Sequence, residues 1–461
     1  GFLSCCIVVS IPGIMLKTLK LILILRQLDA SIGSSNVIKQ LLCRKVSTGA
    51  TRIGMHMNLN SQCKVTVEDC LGKKLEFENS KNILQAVKYN PIKLPVWPVW
   101  AGVIAFFADV LKAPKLGEFI IAHIGGRVVP ISMTSDQLNL PTATDISPFL
   151  LLAHHTHSFT PLDPIRAITK WLLPEGFPAH PHAGFDTVTY CISGGLKHRD
   201  SEGFKMSYGD GEVQWMRAGK GMIHEEMWDL DGSEWKHKSI ELFQLWVNLP
   251  AKEKDQPPFV KLLKPDMMPL IQVSKDIHIR VIAGDVSLQD TNQELLHESG
   301  SGLAGSPVSI LHVSARLAHS SLCFTTNEEN KSIFVYIRRG SLLLNNFNNT
   351  IEKEEVLAFN SVVFLPSSKS LKEEKERSFV LQAGENGFDG LVLIGRPLNE
   401  RVFWRGPFVQ SDEEGLYRSA RRFETAGGNS AFWEHTLSDE DWRNHCQRLQ
   451  LQNQMDNMEE P

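Results

Sequence analysis

Four side chains carry spacing that metal chemistry requires: His180 and His182 in HPH (180–182), and His224 and Glu226 in HEE (224–226). In a strand, residues i and i+2 point to the same face, so each pair presents two ligands on one side. If both strands line one barrel, the four ligands converge inside it. Three imidazoles and one carboxylate suit a borderline divalent first-row metal such as iron, copper, nickel or zinc. No thiolate joins the set, which disfavours a closed structural zinc site. A lone HxH is usually two surface histidines; two ligand pairs with the same spacing argue for a site. Pro181 removes a ladder donor and sets HPH at a strand start or edge, and Gly184 marks a candidate bulge. The AGKG turn (218–221) lets the backbone swing His224 inward.

Other residues weigh less. His155 and His157 in AHHTH (153–157) share the i,i+2 spacing but lack a carboxylate partner, and a site-mouth or core role is expected. His198 reads as a surface strand residue of the KHRDSEG hairpin. Glu225 should point away from the ligands by strand alternation. Trp215 and Phe185 read as core aromatics, Cys191 as a buried small hydrophobe. KEEKER (372–377) is a solvated charge run.

The elements that must position these residues are short strands. From residue 148, apolar β-branched and aromatic runs such as FDTVTYCIS (185–193) and ELFQLWVNLP (241–250) alternate with Gly, Asp and Pro turns. Their spacing predicts an all-β sandwich or barrel, and the jelly roll of the cupins is one such form. A second series runs from IHIRVIAGDVS (277–287) to LVLIGRPL (391–398), which reads as an internal duplication. The expected architecture is two tandem jelly-roll barrels. Residues 126–265 form the metal-binding barrel, 266–440 a second barrel without a metal site plus a helical tail, and 441–461 a polar tail. His312 and His319 stand apart in the second barrel, without a paired HxE.

The 461 residues allow two or three domains, and a net charge of -4 gives no field that invites nucleic acid. Of eight cysteines, five lie in the first 70 residues and no CxxC occurs, so reduced thiols in an intracellular protein are expected. Residues 1–125 read as an N-terminal extension. Its apolar start (2–16) and acid-poor basic stretch fit a targeting segment or a disordered extension. The apolar run 95–111 is read as a docked amphipathic helix rather than a membrane span, because Pro98 and Asp109 interrupt it.

The stretches GFPAHPHAGFDTVTYCISGGLKHRDSEG, GEVQWMRAGKGMIHEEM and LFQLWVNLP resemble the pirin family. The resemblance covers about residues 146–435, more loosely in the second barrel, and the segment 158–175 is longer than in short pirins. It implies that His180, His182, His224 and Glu226 hold one metal ion, Fe(II) first among the divalent metals. It implies quercetin 2,3-dioxygenase activity on a small aromatic substrate with O2, in which Glu226 both ligates and takes the substrate proton. From a different class, it also implies a metal- and redox-responsive regulator that binds transcription factors or other protein partners. A third reading is a vestigial storage fold. A monomer is expected, in the cytoplasm or nucleus unless the extension directs it to an organelle.

Overall fold

The structure is a computed structural model that describes residues 63–68, 74–79, 85–89, 91, 94–95, 126–133, 146–159, 175–230, 238–289, 295–327, 332–345, 353–365 and 376–459. The apolar start, the basic stretch up to residue 62, the run 95–111 beyond Pro95, most of 158–175 and residues 372–375 lie outside the described residues. Among the described residues, no helix is long and apolar enough to cross a membrane.

Four short strands come first: β1 (Cys63–Glu68), β2 (Lys74–Asn79), β3 (Gln85–Tyr89) and β4 (Leu94–Pro95). Next come β5 (Gly126–Ser132), β6 (Phe149–Phe159), β7 (Gly176–His182), β8 (Phe185–Ser193) and β9 (Gly195–Asp200). They are followed by β10 (Lys205–Gly209), β11 (Val213–Arg217), β12 (Met222–Trp228), β13 (Lys238–Asn248) and β14 (Phe259–Leu263). These build the first barrel from two sheets, β10-β9-β12-β7 and β14-β11-β8-β13-β6-β5-β4. The expected all-β tandem fold is therefore present, and its second unit follows directly.

That unit comprises β15 (Leu270–Ser274), β16 (Ile277–Ala283), β17 (Asp285–Gln289), β18 (Leu295–Ser299) and β19 (Val308–Ala315). It continues with β20 (Ser321–Asn327), β21 (Ser332–Asn345), β22 (Lys353–Leu357), β23 (Ser361–Leu365) and β24 (Glu376–Gly395). All ten belong to one sheet, to which β3 adds by pairing with β23.

Strand alternation gives these sheets two different faces. On β21, Ile333, Val335 and Ile337 join Leu311, Val313 and Val392 in an apolar cluster that fills the second barrel. The residues between them, Phe334 and Tyr336, pack with Leu391 and Leu393 against Val188, Phe243 and Leu245 of the first barrel. One continuous core thus welds the barrels together. Each large apolar side chain fully buried there contributes about 1.5–3 kcal/mol.

A charged cluster sits within this contact. Arg338 donates from Nε and Nη2 to both oxygens of Glu241, each at 2.7 Å, and from Nη1 to Asp389 Oδ1 at 2.8 Å. His154 bonds Glu241 at 3.0 Å and Tyr336 at 2.9 Å, while His312 bonds Tyr190 at 2.9 Å and Asp389 at 3.3 Å. Burial pushes the Glu241 carboxyl up, but bonds from His154 and Arg338 outweigh it and hold the group well below the usual carboxylate range. Asp389, likewise pushed up by burial, is drawn down to about 2 by His312 and Arg338.

After the barrels, the hairpin β25 (Phe403–Arg405) and β26 (Phe408–Gln410) leads to two helices. The four-residue α1 (Ala251–Lys254) precedes these; the later ones are α2 (Glu413–Thr425) and α3 (Asp439–Glu459). Asp412 caps α2 by accepting the Gly415 N–H at 2.6 Å. The segment around α3 returns to the first barrel, where Trp433, Trp442, Cys446 and Leu449 cover Ala179 of β7 and Ile223 of β12. Arg199 fastens it, donating to the Leu437 and His435 carbonyls at 2.9 and 3.1 Å and to buried Glu225 at 2.5 Å.

Candidate metal centre

The strands that carry the candidate ligands, β7 and β12, are neighbours, with His180 opposite His224 and His182 opposite Met222. Further along, Phe177 lies opposite Glu226, so Pro178 and Ala179 together face one residue, Glu225. This is a β-bulge, and it keeps Phe177 on the same face as His180. The bulge expected at Gly184 is therefore located on the other side of HPH. Gly184 instead makes the β7–β8 turn at φ +85°, where a Cβ would meet the Val409 carbonyl oxygen at 1.8 Å. Lys254 Nζ locks this turn, donating to Gly184 O at 2.7 Å and to Val409 O at 3.2 Å.

The three imidazoles come together. Ring centroids are 4.7 Å apart for His180 and His182, 4.4 Å for His180 and His224, and 5.1 Å for His182 and His224. Each ring offers a nitrogen within 4.8 Å of the others, and His182 and His224 are buried. Burial, and after it the neighbouring His180, pushes both His182 and His224 well below the ordinary histidine value. His180 Nδ1 donates to the Pro178 carbonyl at 2.8 Å, which leaves Nε2 free to ligate. His182 Nδ1 and both nitrogens of His224 are buried without a hydrogen-bond partner. A buried nitrogen left so costs about 1–3 kcal/mol, and a bound cation would satisfy it. Neutral, orphaned, convergent imidazoles fit a divalent first-row metal.

Glu226 is not one of the atoms in that 4.8 Å group. It is fully buried beside it, and its carboxylate is gripped by three donors. Tyr208 Oη donates to Oε1 at 2.6 Å, Thr189 Oγ1 to Oε1 at 3.1 Å and Gln244 Nε2 to Oε2 at 2.9 Å. Burial, then the Glu226 charge, pushes the Tyr208 hydroxyl well above its usual value. Glu225 turns the other way, to Arg199, as strand alternation requires.

His198 is not the surface residue that its hairpin suggested. It is fully buried, its ring centroid 5.5 Å from that of His224, and its Nε2 bonds Asp200 Oδ2 at 2.9 Å. Asp200 Oδ1 in turn accepts the Glu202 and Phe204 N–H groups at 2.9 and 3.0 Å. The missed signal was its own i,i+2 spacing with Asp200, which puts both on the inner face of β9. His155 and His157 also face inward, against Phe177 and Trp228, and burial pushes His157 down to about 3. Among the described residues they join no group of three or more potential metal ligands. Trp215, Phe185 and Cys191 are buried as expected, and burial pushes the Cys191 thiol up to about 12. His312 belongs to the contact between barrels, and His319 is exposed beside Glu385.

Comparison with known proteins follows this division. The profile described as Pirin matches residues 132–247, and that of the pirin C-terminal cupin domain matches residues 313–428. A pirin-like protein of Caulobacter vibrioides is 30% identical over 251 residues, covering 54% of this chain and 79% of its own length. Pirin-1 of Arabidopsis thaliana is 30% identical over 259 residues, covering 55% and 78%. A Pseudomonas aeruginosa protein, named a quercetin 2,3-dioxygenase as an unproven assignment, is 31% identical over 249 residues, covering 54% and 78%. Among solved structures, a quercetin 2,3-dioxygenase of Acinetobacter baumannii has a TM-score of 0.54 at 24% identity, covering 76% of this chain and 99% of its own. That likeness is one of fold.

Proposed function

This chain belongs to the pirin family, and from that membership we propose that it is an iron-dependent dioxygenase of flavonol-like substrates. In this reading His180, His182, His224 and Glu226 hold one Fe(II) in the first barrel. The observation that carries it is the convergence of three imidazoles in which His182 Nδ1 and both nitrogens of His224 are buried without a hydrogen-bond partner. When bound, the ion would supply Lewis-acid activation and a common point of attachment for dioxygen and a chelating hydroxy-ketone.

The protein's own groups do the rest. Tyr208, Thr189 and Gln244 fix the Glu226 carboxylate. Its Oε2, which accepts only the Gln244 amide, keeps one lone pair, which can hold the ion or, on leaving it, take the substrate hydroxyl proton. Phe177, opposite Glu226, and the Phe185–Trp246 stack against His182 put apolar rings around the reacting groups, which excludes water from them.

The test is aerobic turnover of quercetin by iron-loaded protein, with elemental analysis of the same samples. Wild type should carry iron near stoichiometry, His182→Ala should lose it, and Glu226→Ala should lower turnover about 100-fold or more. Activity that survives Glu226→Ala removes the mechanism. Iron binding without turnover, joined to partner binding that differs between ferrous and ferric protein, would favour a regulator instead.

A further inference from the structure

The wall that faces the histidines carries polar atoms that bond to nothing in the protein. Thr187 Oγ1, both amide atoms of Gln214 and Trp246 Nε1 are all buried and without a hydrogen-bond partner. Thr187 and Gln214 are fully buried residues. Register puts them on the lumen face. Gln214 lies opposite Thr189 on the β8–β11 ladder, and opposite residues share a face. Thr189 reaches Glu226, so Gln214 faces the same interior. Thr187 is two residues from Thr189 and opposite Trp246, whose ring lies 5.1 Å from that of His182.

Folded proteins pair nearly all such groups, because an unpaired buried amide costs more than a hydrogen bond gains. The second barrel, of the same architecture, closes its interior with apolar side chains. The first keeps an amide, a hydroxyl and an indole N–H unsatisfied beside the candidate metal centre. These three offer both donors and acceptors, next to the aromatic face formed by Trp246 stacked on Phe185 at 4.4 Å.

We propose that Gln214, Thr187 and Trp246 form a substrate-reading wall, selective for flat aromatic molecules that carry hydroxyl and carbonyl oxygens around their edge. The ring system lies against Trp246, and its edge oxygens bond Gln214, Thr187 and the indole N–H. The inference rests on the dioxygenase reading above and assigns the specificity within it. Because a site built to bond an oxygen rejects the analogue lacking it, discrimination against unhydroxylated rings follows.

The experiment is an oxygen-free titration of quercetin into iron-loaded wild type, Gln214→Leu and Thr187→Val, with iron content and Tm recorded for each. Each variant should bind quercetin about tenfold more weakly, the loss of one hydrogen bond in a desolvated site. Iron content should not change. Tm should stay level or rise, since each substitution removes a polar group that has no partner in the fold. Unchanged affinity in both variants overturns the proposal, as does a fall in Tm of about 4 °C or more with affinity retained, which would mean that the fold itself uses these groups. Failure of wild type to bind quercetin sinks the flavonol reading and this wall together. Tight binding by wild type and variants alike sinks the wall alone.

Discussion

Glu226 and His198 lie opposite each other on the β9–β12 ladder, both fully buried; His198 is held by Asp200 of its own strand, Glu226 by groups from elsewhere in the barrel. Glu226 depends on three donors from three strands, and the shortest bond is that of Tyr208 at 2.6 Å. Tyr208→Phe keeps the ring and deletes only that bond. Iron content should be unchanged, urea unfolding should show a loss of about 1–3 kcal/mol, and quercetin turnover should fall about tenfold. A variant as active and as stable as wild type would show that Tyr208 does not position the carboxylate. At this scale the converging histidines were legible in sequence, because a period of two is visible inside a single strand. The Glu226 donors were not: Thr189, Tyr208 and Gln244 reach it only through the pairing of distant strands. The hairpin sequence around His198 suggests solvent, whereas its side chain faces the barrel interior opposite Glu226 and is fully buried there.

The strands β8 and β13 serve two interiors at once. Thr189 and Gln244 point to Glu226, while Tyr190 and Glu241 on the same strands meet His312 and Arg338 of the second barrel. The charged cluster there gives stability a definite pH dependence. Glu241 and Asp389 both have folded values below their unfolded ones, near 4. Their contribution is complete above the unfolded value and is lost as pH falls through the folded value, about 2 for Asp389. Urea unfolding at pH 7 and at steps down to about 2 should therefore show stability falling steeply below about pH 5. Arg338→Leu should cost about 3 kcal/mol at neutral pH, by leaving Glu241 and Asp389 short of their cation, and should flatten the acid slope. An unchanged slope would mean that these carboxylates are not the groups being titrated. Sequence spacing announced both barrels, since turn residues punctuate each strand. It could not announce this contact, because alternation tells which residues share a face and not which face another barrel will cover.

Over the whole molecule, two barrels of one architecture have opposite interiors, one filled with apolar side chains and one lined by histidines, amides and hydroxyls. The tail then crosses back to the polar one. Trp442 is fully buried against the outer side of the histidine-bearing sheet, and the Arg199 guanidinium lies 5.5 Å over its ring. Trp442→Ala should destabilise the protein by about 3–5 kcal/mol and should speed the release of iron to a chelator. Release at the wild-type rate would show that the tail covers the sheet without bracing it. This strap also dictates timing. The histidines have emerged from the ribosome some 200 residues before the tryptophans that back them, at roughly 5–20 residues per second. Through that interval the outer surface of β7 and β12 is bare, with Ala179, Ile223 and the Arg199–Glu225 pair open to water. Nascent chains therefore pass through a window of many seconds in which this sheet can be seized by a chaperone or a neighbouring chain, and arrival of the tail ends it.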